Sequence, residues 1–82
     1  MKTLFELLTE AASERADGHF TVMRFTGNWR VGFGTASDRF DIDAMHVGPT
    51  FEQAAKAALN ESADAYRRRI HRALQARIAS YP

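Results

Sequence analysis

Cysteine is absent from this 82-residue chain. That excludes disulfides and thiolate metal sites, and with them any cysteine nucleophile. Proline occurs twice and glycine five times, and no linker, repeat or low-complexity tract is found. Long apolar runs are missing too. The opening Met1-Lys2-Thr3-Leu4-Phe5-Glu6 lacks the hydrophobic stretch of a secretory signal. Glu6, Glu10 and Glu14 recur through the N-terminal segment, which excludes a membrane span there. The expectation is a cytoplasmic protein with no membrane partner.

Charge of one sign is not in large excess, since the net charge is +1. Its distribution is uneven. Residues 1–16 and 17–50 each sum to −1, whereas residues 51–82 carry +3 through Lys56 and five arginines. What is plentiful is apolar character, at 45% of residues, enough to argue against disorder. A chain this short buries only about 60% of its unfolded surface. Its stability therefore depends on packing, with self-association as a further source.

Thr3-Leu4-Phe5-Glu6 has the form of a capping box. Leu4, Phe5, Leu8, Ala11, Ala12 and Ala16 then share one helical face, and Gly18 suits the C-terminal cap. A helix is predicted over about 4–16. The pattern then changes to period two, over about 19–25 and 29–35, with Gly27-Asn28 as a hairpin loop. If Thr26 faces Trp29, one face carries Phe20, Val22 and Arg24 beside Trp29, Val31 and Phe33. The other carries Thr21, Met23 and Phe25 beside Arg30, Gly32 and Gly34.

A third strand is predicted over about 39–46, where Phe40, Ile42 and Ala44 alternate with Asp41, Asp43 and Met45. Thr50-Phe51-Glu52-Gln53 forms a second capping box, opening helical periodicity over about 50–80. The expected fold is one α+β domain over residues 1–82, of order α-β-β-β-α, with helices packed on one face of an antiparallel sheet. One unbroken helix over 50–80 would be about 46 Å long, against a globule of about 30 Å. Either it breaks near Asn60-Glu61-Ser62, or it overhangs and offers its stripe to another surface.

Three surfaces are candidates for function. The outer sheet face, with Met23, Phe25 and Met45 among Arg30, Asp41 and Asp43 over a glycine floor, has the apolar centre and charged rim of a protein-docking site. The alternative is that the C-terminal segment folds back and covers it, making it ordinary core. The C-terminal stripe of Tyr66, Ile70, Leu74, Ile78 and Tyr81 suits self-association into a homodimer, and Arg77 interrupts it as a pairing group would. Arg67, Arg68, Arg69 and Arg72 form a cluster able to meet nucleic-acid phosphates, although such runs are more often a solvated helix face.

No catalytic, metal or cofactor site is predicted. No serine sits in a GxSxG elbow or SxxK pair. His19, His46 and His71 lack the spacing of a metal site, although His19 and His46 have a chance of meeting at one sheet edge. Ser37-Asp38 suits a turn.

The α-β-β-β-α order, with Ala54-Ala55-Lys56-Ala57-Ala58-Leu59 in its second helix, resembles the double-stranded RNA-binding domain in topology over about residues 3–60. In that family a lysine-rich start to the second helix grips RNA phosphates. Here residues 47–53 hold Glu52 and no basic residue. The runs His19-Phe20-Thr21-Val22-Met23-Arg24-Phe25-Thr26 and Trp29-Arg30-Val31-Gly32-Phe33-Gly34-Thr35 are similar to small uncharacterised bacterial and prophage proteins. That resemblance implies an accessory protein acting by binding, such as an inhibitor of a host defence complex. The functional expectation is a non-catalytic binding protein that recognises another protein, with nucleic-acid binding as the alternative.

Overall fold

Thr3 accepts a hydrogen bond from the Glu6 N–H while the Glu6 carboxylate accepts from the Thr3 N–H. This capping box starts α1 (Leu4–Arg15) in the computed structural model, which describes residues 1–80. The next two elements form a hairpin, in which β1 (Phe20–Arg24) pairs with β2 (Trp29–Phe33), setting Phe20 opposite Phe33 and Arg24 opposite Trp29. The Phe25 N–H donates to the Asn28 carbonyl at 2.7 Å. The loop is thus Thr26-Gly27, one residue earlier than expected, and the register moves by two. Side chains alternate with period two, so the two faces keep their expected membership.

The expected strand over 39–46 is corrected by the structure. Arg39–Asp43 is a short helix, α2, and β3 is confined to His46–Gly48. Two side chains decide this locally. Asp38 accepts from the Asp41 N–H at the helix start, and the Asp41 carboxylate accepts from the Ser37 N–H and hydroxyl. This reciprocal cap satisfies backbone donors that a strand would have offered to the sheet. β3 then pairs with β2, with Val31 opposite His46 and Trp29 opposite Gly48. The result is a three-stranded antiparallel sheet of order β1-β2-β3.

Thr50 caps α3 (Phe51–Asn60) and Ser62 caps α4 (Ala63–Ala79), each accepting from the N–H three residues on. Between the helices, Glu61 and Ser62 are extended, with ψ of 123° and 159°. The C-terminal helix therefore breaks where Asn60-Glu61-Ser62 stands in the sequence. It also overhangs, for the molecule measures 49 Å along its longest axis and 30 Å along the next.

Leu8, Val31, Ala54, Ala55 and Ala58 form the buried centre, so α1 and α3 cover the inner sheet face. Phe20, Trp29, Phe33 and Phe51 close its margins, with Phe5 edge-on to Phe20 and Trp29 tilted against Phe51. The alanines of α3 let that helix lie close to the sheet. Contact is close at the end of β3, where a Cβ added to Gly48 would stand 2.6 Å from the Ala54 nitrogen. Gly48→Ala is expected to lower stability by about 1–3 kcal/mol through overpacking. Gly27→Ala, with no atom in reach of the added carbon, should leave the denaturant midpoint almost unchanged. Equal midpoints for the two variants would refute this account of the α3–sheet contact.

Candidate functional site

The placement of α4 begins with one carboxylate. Glu61 accepts from Arg69 Nε at 2.8 Å and from Arg69 Nη2 at 3.0 Å, and His46 Nε2 lies 3.2 Å from the same group. Arg69 also donates through Nη1 to the Ala44 carbonyl at 2.7 Å, and its guanidinium lies over the Tyr66 ring. Tyr66 sets its ring edge-on to Phe33 and donates its hydroxyl to the Phe33 carbonyl. Arg15 of α1 donates to the Glu61 carbonyl, and Arg67 to the Glu14 carbonyl. The first turns of α4 are therefore tied to α1, to β2 and to the segment entering β3.

The Arg69 hydrogen bonds hold the Glu61 carboxyl below its ordinary value, against the opposing effect of burial. Burial pushes the Tyr66 hydroxyl up. The hydrogen bond from the Ser37 N–H keeps the Asp41 carboxyl low.

Further along, α4 leaves the sheet and meets α2. Arg77 pairs with Asp38 and stacks over the Phe40 ring, 5.2 Å from its centroid. A hollow of about 150 Å3 lies between these helices, lined by Phe40, Ala44, Ile70, Ala73, Leu74 and Arg77. Above it the apolar side chains stand in solvent: Phe40 is 59% exposed, Leu74 51% and Ile78 57%. This ridge along the α2–α4 edge is the candidate site, and it offers contact surface rather than chemistry. Among the described residues, no group of three or more His, Asp or Glu side chains could hold a metal. No described helix is long and apolar enough to cross a membrane.

The expected outer-face site is largely closed. Met45 is 7% exposed because it fills the space above Gly32, where an added Cβ would stand 2.8 Å from Met45 Cγ. Asp41 is engaged in the α2 cap. Arg30 donates to the Ile42 carbonyl, lies over the Phe25 ring and stands 3.8 Å from Asp43. Met23 is half-buried and Phe25 exposed. The segment entering β3, with α2, covers part of this face, and the first turns of α4 reach it as well, Tyr66, Arg69 and Ile70 bounding a hollow over Thr21, Gly32 and Gly34.

The two α4 sets are divided in the same way. Tyr66 is buried, Ile70 is partly exposed, Leu74 and Ile78 stand free, and Tyr81 lies outside the described residues. Arg69 is bound to Glu61, and Arg67 pairs with Asp64, whereas Arg68 and Arg72 are exposed and make no ion pair among the described residues. His19 and His46 do not meet, because β2 separates their strands. Phe40 and Asp38 were not foreseen as part of the surface. The spacing Ser37-Asp38-Arg39-Phe40-Asp41 is the signal that would have found them, since Asp38 and Asp41 stand as cap and third helical residue. No known protein family, curated protein or solved structure matches this chain.

The depressed Glu61 carboxyl has a consequence for stability. Its contribution is fully present above its ordinary value of 4.5 and is lost as pH falls through the lower folded-state value. Glu61→Gln should cost about 1–3 kcal/mol near neutrality, the scale of hydrogen bonds to charged groups. It should also flatten the decline in stability below pH 4.5. Urea titrations of both proteins across that range measure this, and parallel acid limbs would contradict it.

Proposed function

We propose that this chain is a non-catalytic, cytoplasmic accessory module that works by binding another protein, and that the α2–α4 ridge is its contact surface. The observation that supports it is the row of Phe40, Leu74 and Ile78, each more than half exposed, beside a hollow between α2 and α4 that stands open among the described residues. Large apolar side chains scattered singly are ordinary on a surface, whereas a contiguous row is the usual mark of an interface. The inhibitor or accessory role implied by the resemblance to small prophage proteins belongs to this same reading. Self-association is its nearest variant, with Ile70, Leu74 and Ile78 as the stripe that a second copy would cover.

Nucleic-acid binding is the second reading, favoured by the exposed Arg68 and Arg72, which make no ion pair among the described residues, beside a half-exposed Arg67. It is narrower than four arginines would have made it, since Arg69 is held by Glu61. It predicts a mobility shift of duplex RNA or DNA at low salt that fades as salt rises. No shift at low salt removes it.

For the protein-binding reading, the double variant Leu74→Asp with Ile78→Asp should keep the wild-type circular dichroism and melting temperature, because both side chains are already exposed. It should lose the discrete adducts formed in cells by a photoreactive residue placed at position 75. The same adducts in variant and parent would remove the ridge from consideration.

A further inference from the structure

The ladder between β1 and β2 determines which backbone groups of the hairpin are used and which are left over. The Gly34 N–H donates to the His19 carbonyl, and the Phe25 N–H to the Asn28 carbonyl. In an antiparallel pair, hydrogen-bonded partners alternate with non-hydrogen-bonded ones. With Phe20 opposite Phe33, the residues bonded to β2 are therefore His19, Thr21, Met23 and Phe25. Phe20, Val22 and Arg24 turn their N–H and C=O groups the other way, off the edge of the sheet, since β1 is an outer strand. Among the described residues, nothing accepts from or donates to these outward groups.

Outer strands are usually blunted by proline, lysine, a bulge or shortness. Phe20-Thr21-Val22-Met23-Arg24 has none of these and pairs with β2 without a break. The opposite edge differs, for β3 has three residues and its Gly48 is packed against α3. Two apolar side chains flank the open edge: Val22 is 38% exposed, and Phe5 of α1, edge-on to Phe20, is 65% exposed. At the end of the strand Arg24 is exposed, lies over the Trp29 ring and makes no ion pair among the described residues.

We propose that β1 is a site of strand addition, where an extended segment of a partner protein pairs with Phe20, Val22 and Arg24. This surface is separate from the α2–α4 ridge and does not depend on it. Main-chain hydrogen bonds supply the affinity of such pairing, and alternate side chains its selectivity. Laid antiparallel, the segment sets one residue opposite each of Phe20, Val22 and Arg24. Those three residues turn their amides toward β1 and their side chains to the face that carries α1. Apolar side chains opposite Phe20 and Val22 then meet Phe5, and a carboxylate opposite Arg24 supplies the charge it lacks. Proline is excluded at all three positions, because their N–H groups are needed.

A second copy does not fit this edge. α1 lies over β1, while α3 lies over β2 and β3. Two β1 strands paired edge to edge would stand about 4.8 Å apart. Packed helices need about 8–10 Å, so the two α1 helices would collide. In the register centred on Val22, the second copy also sets Phe20 opposite Arg24 instead of a carboxylate.

A nuclear magnetic resonance titration of the full chain with a designed peptide tests the assignment. The peptide contains Glu-Thr-Val-Thr-Val within soluble flanks, and the backbone amide signals of Phe20, Val22 and Arg24 should shift. N-methylation of the two valines should weaken binding about tenfold or more, the loss of two main-chain hydrogen bonds. N-methylation of the two threonines, whose amides point away from β1, should change it little. Exchange of the glutamate for lysine should weaken binding about two- to fivefold. Val22→Pro should keep the fold, since the N–H it removes faces outward, and should abolish binding. Val22→Lys, with its backbone intact, should weaken it, and thermal melting checks that both variants fold. Leu74→Asp with Ile78→Asp should leave the affinity for the peptide unchanged.

Equal losses from the two methylated peptides overturn strand addition, as does the absence of any shift at millimolar peptide. Shifts confined to Phe40, Leu74 and Ile78 overturn it too, and leave the ridge reading standing. Equal binding of the lysine peptide overturns the carboxylate opposite Arg24. A doubled mass in light scattering that Val22→Lys returns to the monomer gives the edge to a second copy and overturns the partner segment.

Discussion

The Glu61 carboxylate does for this fold what a longer hydrophobic core does in a larger one. The inner face of the sheet is covered by α1 and α3 through a centre in which Leu8 and Val31 are the large side chains that are fully buried among the described residues. α4 has no place over that centre. Its position depends on the network in which Glu61 receives Arg69 and faces His46, Arg69 reaches back to Ala44, and Arg15 binds the Glu61 carbonyl. Helix break, strand entry and the end of α1 are thereby joined at one partly buried group. Breaking such a pair is costlier than its net contribution suggests, because the partner left behind has lost its water as well.

A second polar cluster, at the Asp38 and Asp41 caps, explains why the outer sheet face is closed where the sequence suggests an open one. Alternation along Phe40-Asp41-Ile42-Asp43-Ala44-Met45 fits a strand as well as a helix, and periodicity over so short a run does not separate the two. The deciding contacts are local and polar. The Asp38 and Asp41 caps wind Arg39–Asp43 into a helix and delay the third strand to His46. Met45 then turns onto Gly32, and Phe40, expected in the third strand, is left at the edge beside Leu74.

Other elements were plain in the sequence for physical reasons that can be named. The Thr3 capping box, the Thr50 N-cap, the period-two hairpin and the helix-breaking Asn60-Glu61-Ser62 depend on neighbours within a few residues, so sequence spacing reports them directly. The hairpin register missed by two positions without consequence, because a two-residue slip preserves the faces. Long-range pairings were not legible. Nothing in the spacing of Arg69 tells that Glu61 binds it, or that Arg77 finds Asp38 rather than a group on another chain. A run of arginines reads as one cluster, yet here it divides into a held residue and freer ones according to which side of the helix faces the body.

The link between Arg77 and Asp38, with the guanidinium stacked on Phe40, bears on the thermodynamics of recognition. An overhanging helix end would ordinarily fray, and a partner would have to order it before gaining any contact. Here the far end of α4 and the ring beside it are already pinned to α2. Much of the conformational entropy that binding usually removes has therefore been removed in the free chain. A surface prepared in this way favours association limited by encounter and orientation rather than by refolding.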